Sequence, residues 1–187
     1  MEIVIIYSSN YLLENPNDKT ISKRKNFIIE QGLKFLGLKH KEFILKKGAY
    51  GKPYIESGPK FNISHSQKFI VAAFHLNLEI GIDTEEIVYY KNTTDHHFLS
   101  PSEKISIINS SSPSKSFIQL WTKKESVMKA EGRGNQINAR DIKLGTNEAN
   151  YKGRKWFLYN LTLCENQVTT LATPYPVGRI HVKKLAF

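Results

Sequence analysis

Cysteine is nearly absent: Cys164 is the only one among 187 residues. This excludes an internal disulfide framework and any zinc cluster built from the thiolates of one chain. Long apolar runs are missing too, since nothing approaches the roughly 20 consecutive apolar residues that a membrane-spanning helix needs. The opening MEIVIIYSSNYLL has no basic leader and meets Asn10 before an apolar core is complete. It therefore reads as a first strand rather than a secretory signal, with the cytoplasm as the expected location. Acidic residues are scarce, 17 Asp and Glu against 27 Lys and Arg, leaving a formal charge of +10. That excess favours nucleic acid, phosphate-bearing metabolites or acidic proteins as partners without choosing among them. No Gly-x-x-x-x-Gly-Lys-Ser/Thr loop occurs, no Gly-x-Gly-x-x-Gly follows a strand, and no Gly-x-Ser-x-Gly elbow is present.

What is there suits one soluble globular unit or two small fused ones. The apolar share, 40% of residues, is too high for a disordered chain. Residues 2 to 8 predict a strand, and residues 22 to 38 a helix with a basic opening and Ser22 as its cap. The run FIVAAF, 69 to 74, is short and β-branched enough to be a buried strand, and residues 80 to 87 read as another. The polar stretch YYKNTTDHH has no periodicity and reads as a loop. A short helix is expected from Ser100, with Pro101 in its first turn, and a longer one over about 114 to 131, ended by Gly132 and Gly134. The tail runs KWFLYNLTL, QVTTLAT and RIHVKKLAF predict an antiparallel meander able to cover one face of a helix.

Asp83 and Glu85 stand two apart on a predicted strand, so both leave the same face with Cα atoms roughly 6 to 7 Å apart and can converge on one cation. A solvated strand end is the plain alternative. Glu125 shares a helical stripe with Trp121 and Met128, and Lys129 follows it at i+4. An ordinary surface Glu to Lys pair predicts that same spacing. A third carboxylate beside Asp83 and Glu85 would complete a hard oxygen site suited to Mg²⁺. Ser64-His65-Ser66 offers two hydroxyls and an imidazole to phosphate oxygens, or simply a turn and a cap. Lys52, between Gly51 and Pro53, is either a loop lysine or a fixed cation.

Taken in order, GKP at 51 to 53, FNISHS at 61 to 66, GIDTE at 81 to 85 and WTKKES..KAEGRG at 121 to 134 resemble the Sfp-type 4′-phosphopantetheinyl transferases. The similarity spans about residues 20 to 135. It implies an α+β fold of two similar halves related by a pseudo-twofold, residues 1–78 and 79–187, with the active site in the cleft between them and the metal site in the second half. It also implies Mg²⁺-dependent transfer of the phosphopantetheine arm of coenzyme A to a serine of an acyl or peptidyl carrier protein, releasing adenosine 3′,5′-bisphosphate.

By the same resemblance, Asp83, Glu85 and Glu125 would hold Mg²⁺, Glu125 would act as general base, and Lys129 would stabilise the leaving phosphate. Lys52, Ser64 and His65 would contact the coenzyme's phosphates, assisted by Arg24 or Lys25. Glu103 matches an acidic position that some members place near the metal. Thr84 departs from the family, which usually has an apolar residue there. It should face away from the acids and be tolerated. The expected partners are coenzyme A and a carrier protein, with a monomeric enzyme and no nucleic acid or membrane. The +10 charge with the SKRK and LKKGAYGKP segments would also suit a nucleic-acid-binding module, and a non-catalytic coenzyme A binder is the other competing reading.

Overall fold

The computed structural model describes residues 2–9, 18–39, 44–66, 69–91 and 97–186. The chain forms a mixed α+β fold of eleven strands and three α-helices among the described residues. Strand β1 (Glu2–Ser8) is apolar at almost every position, and the architecture explains why. Val4 and Ile6 pack with Ile28, Ile29 and Leu33 of helix α1 (Asp18–Phe35), while Ile3 and Ile5 face the opposite way into a second core with Ile80, Ile82 and Leu171. A strand covered on both faces needs no polar alternation. The same holds for β5 (Ile70–His75), which pairs antiparallel with β1 and is buried from Ile70 to Phe74.

Antiparallel to β5 runs β4 (Lys60–His65), preceded by the small hairpin of β2 (Leu45–Lys47) and β3 (Pro53–Ile55). The second sheet has the order β6-β10-β9-β8-β7. Its strands are β6 (Gly81–Glu86), β7 (Lys143–Leu144), β8 (Glu148–Tyr151), β9 (Arg154–Leu161) and β10 (Gln167–Thr173). Helices α2 (Pro101–Ile108) and α3 (Pro113–Glu131) come between β6 and β7. Val127, Met128 and Ala130 of α3 pack on Trp156, Leu158 and Ala172 of this sheet.

Two expectations are corrected. Ser22 is no cap: α1 begins at Asp18, so Ser22 lies inside the helix and is exposed. The last strand, β11 (Arg179–Lys184), leaves the meander and pairs parallel with β1, from Glu2 opposite Arg179 to Tyr7 opposite Lys184. The order of the first sheet is therefore β11-β1-β5-β4, and the two ends of the chain are neighbours in it. Part of the YYKNTTDHH stretch, residues 92–96, lies outside the described residues. No helix among the described residues is long and apolar enough to cross a membrane.

Two edge strands, β4 of the first sheet and β6 of the second, meet through side chains. Asn62 Oδ1 accepts the Ile82 amide at 2.8 Å, and Ser64 Oγ accepts the Thr84 amide at 3.3 Å. Ser66 Oγ adds a hydrogen bond to Gln167 Oε1 at 3.0 Å. Asn62, Ser64 and Ser66 alternate along β4 and extend from it, so their period of two matches the spacing of donors along β6. An open edge would otherwise present unsatisfied amides, and here polar side chains close it.

Candidate active site

The site begins with a close approach. Gly81 on β6 lies against α3 so tightly that an added Cβ would stand 1.9 Å from Ser126 O and 2.4 Å from Ala130 N. Only glycine permits that contact. It seats α3 on β6, so that Asp83 and Glu85, on the same strand face as Gly81, meet the helix side that carries Trp121, Glu125 and Lys129.

Asp83 is 1% exposed. Its Oδ1 receives Lys129 Nζ at 2.5 Å and the Ser64 hydroxyl at 2.9 Å. Lys129 Nζ also donates to Ser64 Oγ at 2.8 Å, so that hydroxyl donates once and accepts from both Lys129 and the Thr84 amide. Asp83 Oδ2 is buried with no hydrogen-bond partner among the described residues. Thr84 faces away, as expected, and its hydroxyl meets that of its cross-strand partner Thr169 at 2.9 Å.

The three acids interact strongly. Burial and the charges of Asp83 and Glu125 push the Glu85 carboxyl up to about 7, against the opposing pull of Lys129 and a hydrogen bond from the Trp121 indole. Glu125 is raised by burial and by Asp83, again with Lys129 opposing. Among the described residues, no three His, Cys, Asp or Glu side chains stand close enough to ligate one ion, and the ammonium of Lys129 meets Asp83 instead. The donor chemistry nonetheless fits a hard cation: carboxylate oxygens held where they repel one another, one of them buried and unpartnered.

The cationic residues divide into two groups. Lys25 on α1 is lowered by burial and by the charges of Lys129 and Lys47, and His65 by partial desolvation and by Lys25 and Lys129. Lys25, His65 and Lys129 thus lie within electrostatic reach of one another. Arg24 is partly buried in the same turn as Lys25. Lys52 is engaged elsewhere: its ammonium donates to Glu79 at 2.9 Å, to Ala130 O at 3.2 Å and to Ile80 O at 3.4 Å. It ties the turn between β2 and β3 to the end of α3. Glu103, which the resemblance placed near a metal, is held at the start of α2. Its Oε2 accepts the Ser100 amide at 2.7 Å, closing the capping box of α2, and receives Lys124 Nζ at 3.0 Å.

Two clefts open on the acids. One, of about 560 Å³, is lined by His65, Ser66, Glu85, Phe98, Phe117 and Trp121 among others. The other, of about 470 Å³, has His97, Glu125, Met128 and Arg140 in its wall. Phe98 and Trp121 line both, with ring centroids 4.5 Å apart. Sequence reasoning missed the inter-sheet role of Asn62 and Ser64 and the burial of Lys124. The alternation of small polar residues in FNISHS was the available signal for the first, and nothing local distinguished Lys124 from its neighbour Lys123.

The family model of the 4′-phosphopantetheinyl transferase superfamily matches residues 79–172, half of the chain. The chain belongs to that superfamily. It is 35% identical over 107 residues to the 4′-phosphopantetheinyl transferase gsp of Aneurinibacillus migulanus, a stretch covering 56% of this chain and 45% of that protein. It is 40% identical over 90 residues to a 4′-phosphopantetheinyl transferase of Bacillus subtilis, covering 46% of this chain and 39% of the relative. Against the 4′-phosphopantetheinyl transferase Sfp of Bacillus subtilis (strain 168) the identity is 36% over 89 residues, with the same coverage of 46% and 39%. The matched stretch thus spans less than half the length of these curated relatives. The family match contains Asp83, Glu85, Glu103, Glu125 and Lys129, while Lys25, Lys52, Ser64 and His65 fall before it.

Proposed function

We propose that this chain transfers the 4′-phosphopantetheinyl group of coenzyme A to a serine hydroxyl of an acyl or peptidyl carrier protein, releasing adenosine 3′,5′-bisphosphate. The observation that carries this reading is the pairing of Lys129 with Asp83 beside Glu85 and Glu125, all inside the segment that matches the superfamily. The serine oxygen attacks the phosphorus bearing the pantetheine arm. A new oxygen–phosphorus bond forms as the bond from that phosphorus to the bridging diphosphate oxygen breaks. Glu125, raised by its burial, takes the serine proton, and Lys129 meets the negative charge developing on the departing phosphate. Asp83, Glu85 and Glu125 stand too far apart here to ligate one ion together, so they would have to draw together to hold a divalent ion such as Mg²⁺, which when bound would supply charge neutralisation at the diphosphate.

Lys25 supplies positive charge and His65, kept neutral by burial and the nearby lysines, a hydrogen bond to the coenzyme's phosphates, and Ser64 sets the position of Lys129. Lys52 is left out of this set because Glu79 and two carbonyls hold its ammonium. The same reading takes the two α+β layers as related halves with the coenzyme between them, in a cytoplasmic monomer whose +10 charge draws in an acidic carrier. Mass spectrometry of an apo carrier incubated with coenzyme A, Mg²⁺ and this chain tests it. A gain of one phosphopantetheinyl group that disappears with Glu125→Ala is the expected result; no gain across several carrier classes overturns it.

A further inference from the structure

Lys124 immediately precedes Glu125 on α3 and is 0% exposed. An ammonium at that depth needs an acceptor for each of its three donors. It has three: Phe98 O at 3.0 Å, Glu103 Oε2 at 3.0 Å and Ala139 O at 3.1 Å. They come from three separate stretches of chain, namely the segment leading into α2, the first turn of α2, and the short 3₁₀ turn Ala139–Asp141. One side chain on α3 therefore pins all three.

Packing alone does not call for a charge here, because an apolar side chain of similar volume fills such a space without the desolvation cost of a buried ion pair. What the ammonium adds is direction. It fixes the Phe98 carbonyl, and with it the Phe98 ring, which lies 4.5 Å from Trp121 at an interplanar angle of 54°. Trp121 in turn lines the same cleft as Glu85. Phe98 and Trp121 form the wall common to both clefts, one holding Glu85 and the other Glu125.

We infer that Lys124 is a positioning residue for the acid cluster, acting through the Phe98 carbonyl and the Phe98–Trp121 contact to hold Glu85 and the dividing wall in register with Glu125. This rests on the transferase reading above for its kinetic consequence, though not for its geometry. A purely structural Lys124 would affect melting alone and leave the turnover of each folded molecule unchanged.

The experiment uses the full chain with Lys124→Met and Phe98→Leu, at a temperature where far-ultraviolet circular dichroism shows the variants folded. Phe98→Leu keeps the buried ion pair and removes only the ring, so it decides the question should Lys124→Met fail to fold. Both are expected to lose about tenfold or more in kcat while KM for coenzyme A stays within about twofold, as misplaced reacting groups require. Tryptophan emission should shift in both. Trp156, the other of the two tryptophans, is buried in a cluster that Phe98 also packs against, so the emission is read with Trp156→Phe as the common background, which leaves Trp121 as the reporter. Parent kcat with parent emission in Phe98→Leu, or in folded Lys124→Met, overturns the inference. If the unmodified chain transfers nothing to any carrier, the transferase reading falls by itself, and the emission of the two variants still decides the role of Lys124.

Discussion

Lys129 Nζ lies 2.5 Å from Asp83 Oδ1, so an ion pair crosses from α3 to β6 at the centre of the candidate site. The lysine side chain is 27% exposed and the carboxylate 2%. The ammonium can thus reach water when its partner is lost, whereas the carboxylate cannot.

That asymmetry sets the outcome of Asp83→Ala. The variant loses an ion pair but also relieves the repulsion that raises Glu85 and Glu125, and the two effects oppose each other. A cooperative fold should persist while transfer falls by about a hundredfold or more. Thermal melting beside the rate of carrier modification checks this, and a severe loss of folding would reassign Asp83 to a structural role.

Asn62→Ala strands the Ile82 amide at the junction of the sheets. Because that donor is buried, the cost is that of an unsatisfied group, about 1–3 kcal/mol of unfolding free energy. Urea denaturation measures it. A change below about 0.5 kcal/mol would mean that water or a shifted backbone satisfies the amide.

Gly81→Ala introduces a methyl group into the backbone of α3, with Ser126 O 1.9 Å from the new atom. Neither partner is a flexible side-chain end, so relief requires moving the helix that carries Glu125 and Lys129. Destabilisation of about 3 kcal/mol or more is expected, with loss of transfer in whatever folds. A variant with the parent's melting curve would show that α3 can shift freely.

Burial opposes the ionisation of Glu79, but Lys52 and Lys60 outweigh it and hold the carboxyl below its usual 4.5. A depressed carboxyl contributes stability that is present above the unfolded-state pKa and lost as pH falls through the folded one. The stability difference between the parent and Glu79→Gln should therefore be constant near neutrality and shrink below about pH 4.5. Denaturant melts across that range provide the test, and a difference independent of pH would remove the ion pair as its source.

Much of the site was legible in local pattern. The strand period puts Gly81, Asp83 and Glu85 on one face and turns Thr84 toward Thr169, and the helical period aligns Trp121, Glu125 and Lys129. What escaped depends on partners distant along the chain. Ser64 reads as a phosphate ligand or a cap until β4 comes to lie along β6, and it then becomes the hydrogen-bond partner of Asp83. Lys52 and Glu103 likewise acquire partners that no local pattern shows, because Glu79 and Lys124 meet them only in the folded molecule.

The amino-acid order by itself determined the three helices, strands β1, β5, β6, β9, β10 and β11, and the chemical character of the acid and lysine positions, because periodicity and capping act within a few residues. Only the tertiary structure decided that β11 joins β1, that Lys124 is sealed inside, and that Lys129 sits on Asp83. Those pairings join groups dozens of residues apart or more, and their energy comes from shared burial that no short stretch of sequence encodes.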